Sequence, residues 1–380
     1  MKKIVVLLLF VFTFSLHSFE WGGVLNESIS NSKESYTEDS FLFTQKNCLD
    51  LWFQTPIAQK ENLSFIFNTS FDLKFDYYNE DCEILSIIDF DLLHLSYFKN
   101  FSSFSFSSDI GRIEVNDITK KIVSQKIDGI KGSFELVNFS ADFYLGFTGL
   151  LNALNNRMLD VNGEPFAIEG INYIFATNLF PYSLSITFPT ASRKNKIICE
   201  FTGVGNSKQN RNRYYGTLGF GSDSLKYFTY QLSTTVGIED FRNISNLTVL
   251  HFKFSPFELL SFDAEVTYAS GNQYYLSSFK GLTSFRENDY LLHKEVSEQL
   301  VMAAGACFNN KFFEGNLQVK CLFDFPESEL YFSGVLINST VDFSIFSDLY
   351  AGVSGILFFD VIDNWKQNLF NFSLNCKLLF

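Results

Sequence analysis

The stretch Leu63-Ser-Phe-Ile-Phe-Asn-Thr-Ser-Phe-Asp-Leu-Lys-Phe-Asp-Tyr77 alternates almost without a break. In an extended chain Leu63, Phe65, Phe67, Thr69, Phe71, Leu73, Phe75 and Tyr77 share one side. Ser64, Ile66, Asn68, Ser70, Asp72, Lys74 and Asp76 share the other. A period of two sustained this long means a strand with one greasy and one wet face. What each face meets decides the fold.

The pattern returns along the chain. Phe139, Ala141, Phe143 and Leu145 oppose Ser140, Asp142 and Tyr144; Leu250, Phe252 and Phe254 oppose His251 and Lys253. Leu260, Phe262, Ala264 and Val266 oppose Asp263 and Glu265, and Val319, Cys321 and Phe323 oppose Lys320 and Asp324. Phe343 likewise opposes Asp342. A soluble sandwich would turn the apolar faces inward, whereas a transmembrane barrel turns them outward to lipid. The strands run to about 10–17 residues, against about 5–6 in soluble domains. Their wet faces carry Ser, Thr, Asn, Asp and Gln rather than a Lys/Glu mixture. Aromatics gather near strand ends (Trp52-Phe53, Tyr77-Tyr78, Tyr97-Phe98, Trp365), where interfacial girdles belong. The reading is an all-β, antiparallel, up-and-down transmembrane barrel. Seventeen runs between 46–56 and 367–380 qualify as strands. Because bacterial single-chain barrels have even strand numbers, the expectation is 16, within 14–18, with 172–190 set aside as loop. Segment 20–40 reads as a polar lead-in, and 150–170 and 271–298 read as long rim loops.

Met1-Lys2-Lys3 followed by an apolar run over 4–14 reads as a secretory signal peptide, cleaved after Ser18. Residues 19–380 then form a single barrel domain, with no stretch apolar enough for a transmembrane helix. A net charge of −13 argues against a nucleic-acid partner. The 47 Phe and 17 Tyr demand burial in protein or lipid. Six scattered cysteines without a CxxC pair give no disulfide framework in so long a chain.

Four dispersed histidines and the lack of HExxH, GxSxG or metal-spaced clusters leave no cofactor, metal or catalytic site to assign, and the chain reads as a non-enzyme. The chemistry lies in the charge of the wet faces. Asp72, Asp76, Asp142, Asp263, Glu265, Asp324 and Asp342 outnumber Lys74, Lys253 and Lys320 among the candidate lumen residues. Such an excess concentrates cations.

The chain ends Phe370-Asn-Phe-Ser-Leu-Asn-Cys-Lys-Leu-Leu-Phe380. With the amphipathic strands and the signal peptide, this resembles the porin-like outer-membrane β-barrels of bacteria with two membranes. Ile110-Gly-Arg-Ile113 and Tyr268-Ala-Ser-Gly-Asn272 are similar to stretches of alginate-export-like porins. The resemblance implies that Phe370, Phe372, Leu374, Leu378 and Phe380 form the assembly signal read by the barrel-assembly machinery. It also implies an outer-membrane location in contact with lipid. The last strand is expected to close on the first, near 46–56. The resulting expectation is a channel for passive diffusion of small hydrophilic solutes with a mild cation preference, and a homo-oligomer is left open. The alternatives are a surface adhesin or structural barrel with long loops, and a transporter of hydrophobic substrates.

Overall fold

The structure, a computed structural model, describes residues 20–34, 41–57, 62–78, 81–160, 166, 173–191, 193–206, 212–222, 227–239, 243–271, 276–283, 298–325, 330–361 and 369–380. The signal peptide read at 1–18 lies outside these. The strands in chain order are β1 Glu20–Glu34, β2 Phe41–Pro56, β3 Leu63–Tyr78, β4 Asp81–Asn100, β5 Phe104–Asn116 and β6 Ser124–Leu136. Next come β7 Ser140–Phe147, β8 Leu179–Pro189, β9 Lys196–Asn206, β10 Arg213–Ser222, β11 Phe228–Glu239 and β12 Asn243–Phe257. The series ends with β13 Leu260–Ala269, β14 Gln299–Asn309, β15 Phe313–Asp324, β16 Tyr331–Ser344, β17 Leu349–Asp360 and β18 Leu369–Leu379. Each pairs antiparallel with its neighbours in sequence, and β18 pairs with β1, so the 18-stranded sheet closes on itself without an edge.

This corrects the expected strand number of 16. All seventeen runs are strands, including the set-aside 172–190, which holds β8. The eighteenth is β1, inside the segment read as a lead-in. The last strand therefore pairs with β1, from Val24↔Leu379 to Glu34↔Leu369, and not with 46–56, which is β2. β1 hides because its outer face, Trp21, Gly23, Leu25, Glu27, Ile29, Asn31, is broken by Gly23, Glu27 and Asn31. Backbone ladders on both sides hold it there without a continuous apolar stripe.

Exposure along the strands is inverted relative to a soluble protein. In β10 Thr217 is buried while Leu218 is 55% exposed; in β11 Ser233 and Thr235 are buried while Leu232 and Val236 are exposed. Thr217 and Thr235 face each other across the ladder, their hydroxyls 2.8 Å apart. Apolar residues thus form the outer belt and polar ones the inner wall.

At one place neighbouring strands approach unusually closely. Gly111, Gly129 and Gly146 stand side by side on β5, β6 and β7. A Cβ on Gly129 would fall inside the Leu145 carbonyl, and one on Gly111, whose φ is +133°, inside the Leu93 carbonyl. Gly216, on β10, has open space around it. Gly129→Ala is therefore expected to cost about 1–3 kcal/mol by overpacking, with Gly216→Ala near neutral. Urea unfolding of the detergent-refolded barrel checks this, and equal midpoints for the two variants would contradict the close approach.

Candidate pore lining and constriction

Strands β5–β13 carry apolar residues on the inner face as well: Ile113, Val115, Ile127, Leu179, Val204, Leu247 and Val249 are all buried. They are matched by Ile122 and Val123 from the β5–β6 connection, Met158 from the β7–β8 connection, and Phe279 and Leu282 from the β13–β14 connection. The described parts of these three connections fold into the barrel and share one core with its wall.

Asp117 organises the first of them. Its carboxylate accepts the backbone N–H of Thr119, Ile122 and Val123 at 2.7–2.8 Å and the Thr119 hydroxyl. Burial pushes its carboxyl above the ordinary range, opposed by those same hydrogen bonds. The turn is then latched to the wall. Glu200 of β9 accepts the Ile118 N–H at 2.9 Å and the Ser183 hydroxyl at 3.1 Å, and Lys121 pairs with Glu265 of β13 at 2.9 Å. The Ile122 carbonyl accepts the N–H of Leu282 and Thr283. Arg213 of β10 ties the other two connections together, donating to the Gly281 carbonyl at 3.0 Å and the Leu159 carbonyl at 2.7 Å. Asn155, in the one-turn 3-10 helix Ala153–Asn155, donates to Asp89 at 2.6 Å. Most of these latches use a charged side chain, Glu200 and Arg213 holding backbone and Lys121 and Asp89 meeting a polar or charged partner, a rigid way to fix a loop inside a barrel.

The residues expected at the lumen all lie on the parity opposite the exposed belt. Lys46 of β2 meets Asp72 at 3.3 Å, and Lys74 meets Asp76 at 2.7 Å, with the Thr44 hydroxyl donating to Asp76. Asp142 stands exposed between Ser133 and Ser185. Lys253 and Asp263 oppose each other across β12 and β13, and Glu265 opposes His251. Lys320 stands between Ala303 and Leu336, and Asp324 accepts from the Gln299 amide at 2.9 Å. Asp342 directly opposes Glu314, two like charges in register. The set is distributed around the wall; only Glu265 joins the latches. Period-two reasoning missed Asp117, Lys121, Glu200 and Arg213, although Asn116-Asp-Ile-Thr119 is a turn-forming run that carries a side chain able to cap its own backbone.

A closed barrel with an apolar outer belt, a polar inner wall and inward-folded connections defines the class: a porin-like transmembrane β-barrel of the outer-membrane type. The particular resemblances are to solved outer-membrane proteins of two bacteria. The outer-membrane protein OpdK of Pseudomonas aeruginosa superposes with a TM-score of 0.63 at 8% identity, over 96% of this chain and 99% of that one. OpdK crystallised with vanillate gives 0.61 at 9% identity, over 96% and 99%. OccAB4 of Acinetobacter baumannii gives 0.60 at 9% identity, again over 96% and 99%. No protein-family model matches the sequence, and no curated protein matches it.

Proposed function

We propose that the chain is an outer-membrane channel passing small hydrophilic solutes by diffusion, with a mild preference for cations. The observation that carries this is an inner wall on which carboxylates outnumber basic side chains, around an 18-strand barrel, a size that leaves an aqueous lumen. Asp72, Asp76, Asp142, Asp263, Glu265, Asp324 and Asp342 are its predicted members; Glu314 joins them by register. Lys46, Lys74, Lys253 and Lys320 offset part of the charge. A carboxylate solute such as the vanillate bound to OpdK would meet a repulsive wall here, so the resemblance in fold does not carry that preference over. Transport of a hydrophobic substrate is less well supported: Phe143, Phe201, Phe254 and Phe372 are exposed on the outer belt, away from any inner path. We propose also that β18 is the segment the barrel-assembly machinery reads.

Planar-bilayer recordings test the channel, with silent bilayers favouring a closed structural barrel. At 0.15 M salt the Debye length is about 8 Å, so selectivity should be read below that concentration. In a KCl gradient the reversal potential should report cation preference. Neutralising two wall carboxylates as Asp263→Asn with Asp342→Asn should reduce the cation-to-anion ratio by roughly twofold, an effect of about 0.5 kcal/mol. Anion selectivity in the unmodified protein would contradict the proposal.

A further inference from the structure

The outer belt carries a polar break at the closure seam. Gly23 is fixed as outward-facing because the Phe380 ring lies over it, and Glu27 shares its parity. Counted from Trp21 at about 3.3 Å per residue with a tilt near 40°, Glu27 stands roughly 15 Å above the rim, near the middle of a ~25 Å belt. Its neighbours in register are Cys376 of β18 and Asn47 of β2. Gln45 donates to the Glu27 carboxylate at 3.1 Å, and Glu27 is exposed. Around this spot the belt is apolar: Leu25 and Ile29 on β1, Leu374 and Leu378 on β18, Phe71 on β3. On the far side of the barrel the corresponding outward residues are Phe201, Leu218 and Leu232.

A carboxylate turned to acyl chains at that depth is costly, and lipid headgroups do not reach it. Something with hydrogen-bond donors has to cover it. We infer that Glu27 and Asn47 are the centre of a two-fold interface, within the membrane, between two copies of this chain. The spot is complementary to itself. Gln45 engages one Glu27 oxygen, leaving the other free to accept, and the Asn47 amide makes no side-chain hydrogen bond among the described residues. About a two-fold axis, Asn47 of each copy donates to Glu27 of the other, and both sets of groups are satisfied at once. The row through Glu27 is otherwise small, with Ala351 and Cys376 in register beside it, so two walls can approach closely.

The native cysteines supply the test. Cys376 on β18 and Cys199 on β9 are both exposed on the outer belt, half a barrel apart. In the full-length protein in native membranes, a variant retaining only Cys376 should give a covalent dimer with a short membrane-permeant bis-maleimide. A variant retaining only Cys199 should not. Adding Glu27→Leu to the Cys376 variant, a change on the outer face that leaves the backbone ladders of β1 in place, should abolish the dimer. The inference is overturned by no dimer from Cys376, by equal dimer from Cys199, by dimer surviving Glu27→Leu, or by Cys376 linking to a different protein. None of these outcomes depends on whether the lumen conducts.

Discussion

Deletion of Phe380 should remove most of the membrane-integrated, heat-modifiable barrel from cells while leaving the conductance of the surviving molecules unchanged. Phe380 adds the last rung to the closure: Gly23 donates to its carbonyl at 2.8 Å and its N–H donates back at 3.1 Å. The ring lies over Gly23 in a space that no other residue's Cβ leaves free. Full burial of a Phe side chain stabilises by about 1.5–3 kcal/mol, and this ring is 56% exposed, so its share is smaller. That is too little to unfold a sheet closed by so many ladders. A large loss in cells therefore has to come from recognition of β18 during insertion. Refolding of the truncated chain into detergent micelles should then be close to normal, and Phe380→Trp should insert better than Phe380→Asp. Normal insertion in cells, or an equal defect in micelles, would refute the assembly role.

The barrel was legible in the sequence wherever one face of a strand was continuously apolar. β3 shows this best, because every outward position from Leu63 to Tyr77 except Thr69 is a large apolar residue. β1 and β8 were harder for different reasons. In β1 the outward Glu27 and Asn31 interrupt the stripe, and the evidence for the strand is its two partners, which no local window contains. In β8 the alternation of Phe180, Tyr182, Leu184 and Ile186 is clear, but it was masked by the long connection before it and by Pro181 and Pro189. Even strand parity then argued for dropping a run, when in fact one was missing.

The inner wall was legible in part. Alternation assigns Asp263 or Lys320 to a face without knowing anything else. It fails for inner residues that are apolar, such as Leu247 and Val249, because the rule that apolar means outward holds only where the inside is water. Here the three folded connections replace that water with a core. Arg112 shows the limit well. Its guanidinium grips the Asp128 carboxylate at 3.0 and 3.1 Å and the Leu150 carbonyl at 2.7 Å, residues far apart in sequence. No spacing pattern encodes such a contact.

Asp117→Ala should widen the channel without unfolding the barrel. The substitution strips an acceptor from three buried N–H groups and one hydroxyl at a residue that is only 3% exposed. Each buried donor left unpaired costs about 1–3 kcal/mol. Against this, the turn is held by burial of Ile122 and Val123, about 1.5–3 kcal/mol each, and by the Glu200 and Lys121 latches. The donor loss matches or exceeds the apolar gain, so the turn should leave its seat or admit water. Leu282 and Thr283 then lose the Ile122 carbonyl, and the loosening spreads to the β13–β14 connection. The strand ladders do not involve Asp117, so heat-modifiability should persist. In bilayers the variant should show larger and noisier steps. Asp117→Asn keeps an oxygen for Ile122 and Val123 but turns an amide toward the Thr119 N–H, and it should fall between the two. Unchanged conductance in Asp117→Ala, with the turn shown to be displaced by new protease sensitivity at Lys120 or Lys121, would mean that solutes do not pass this connection at all.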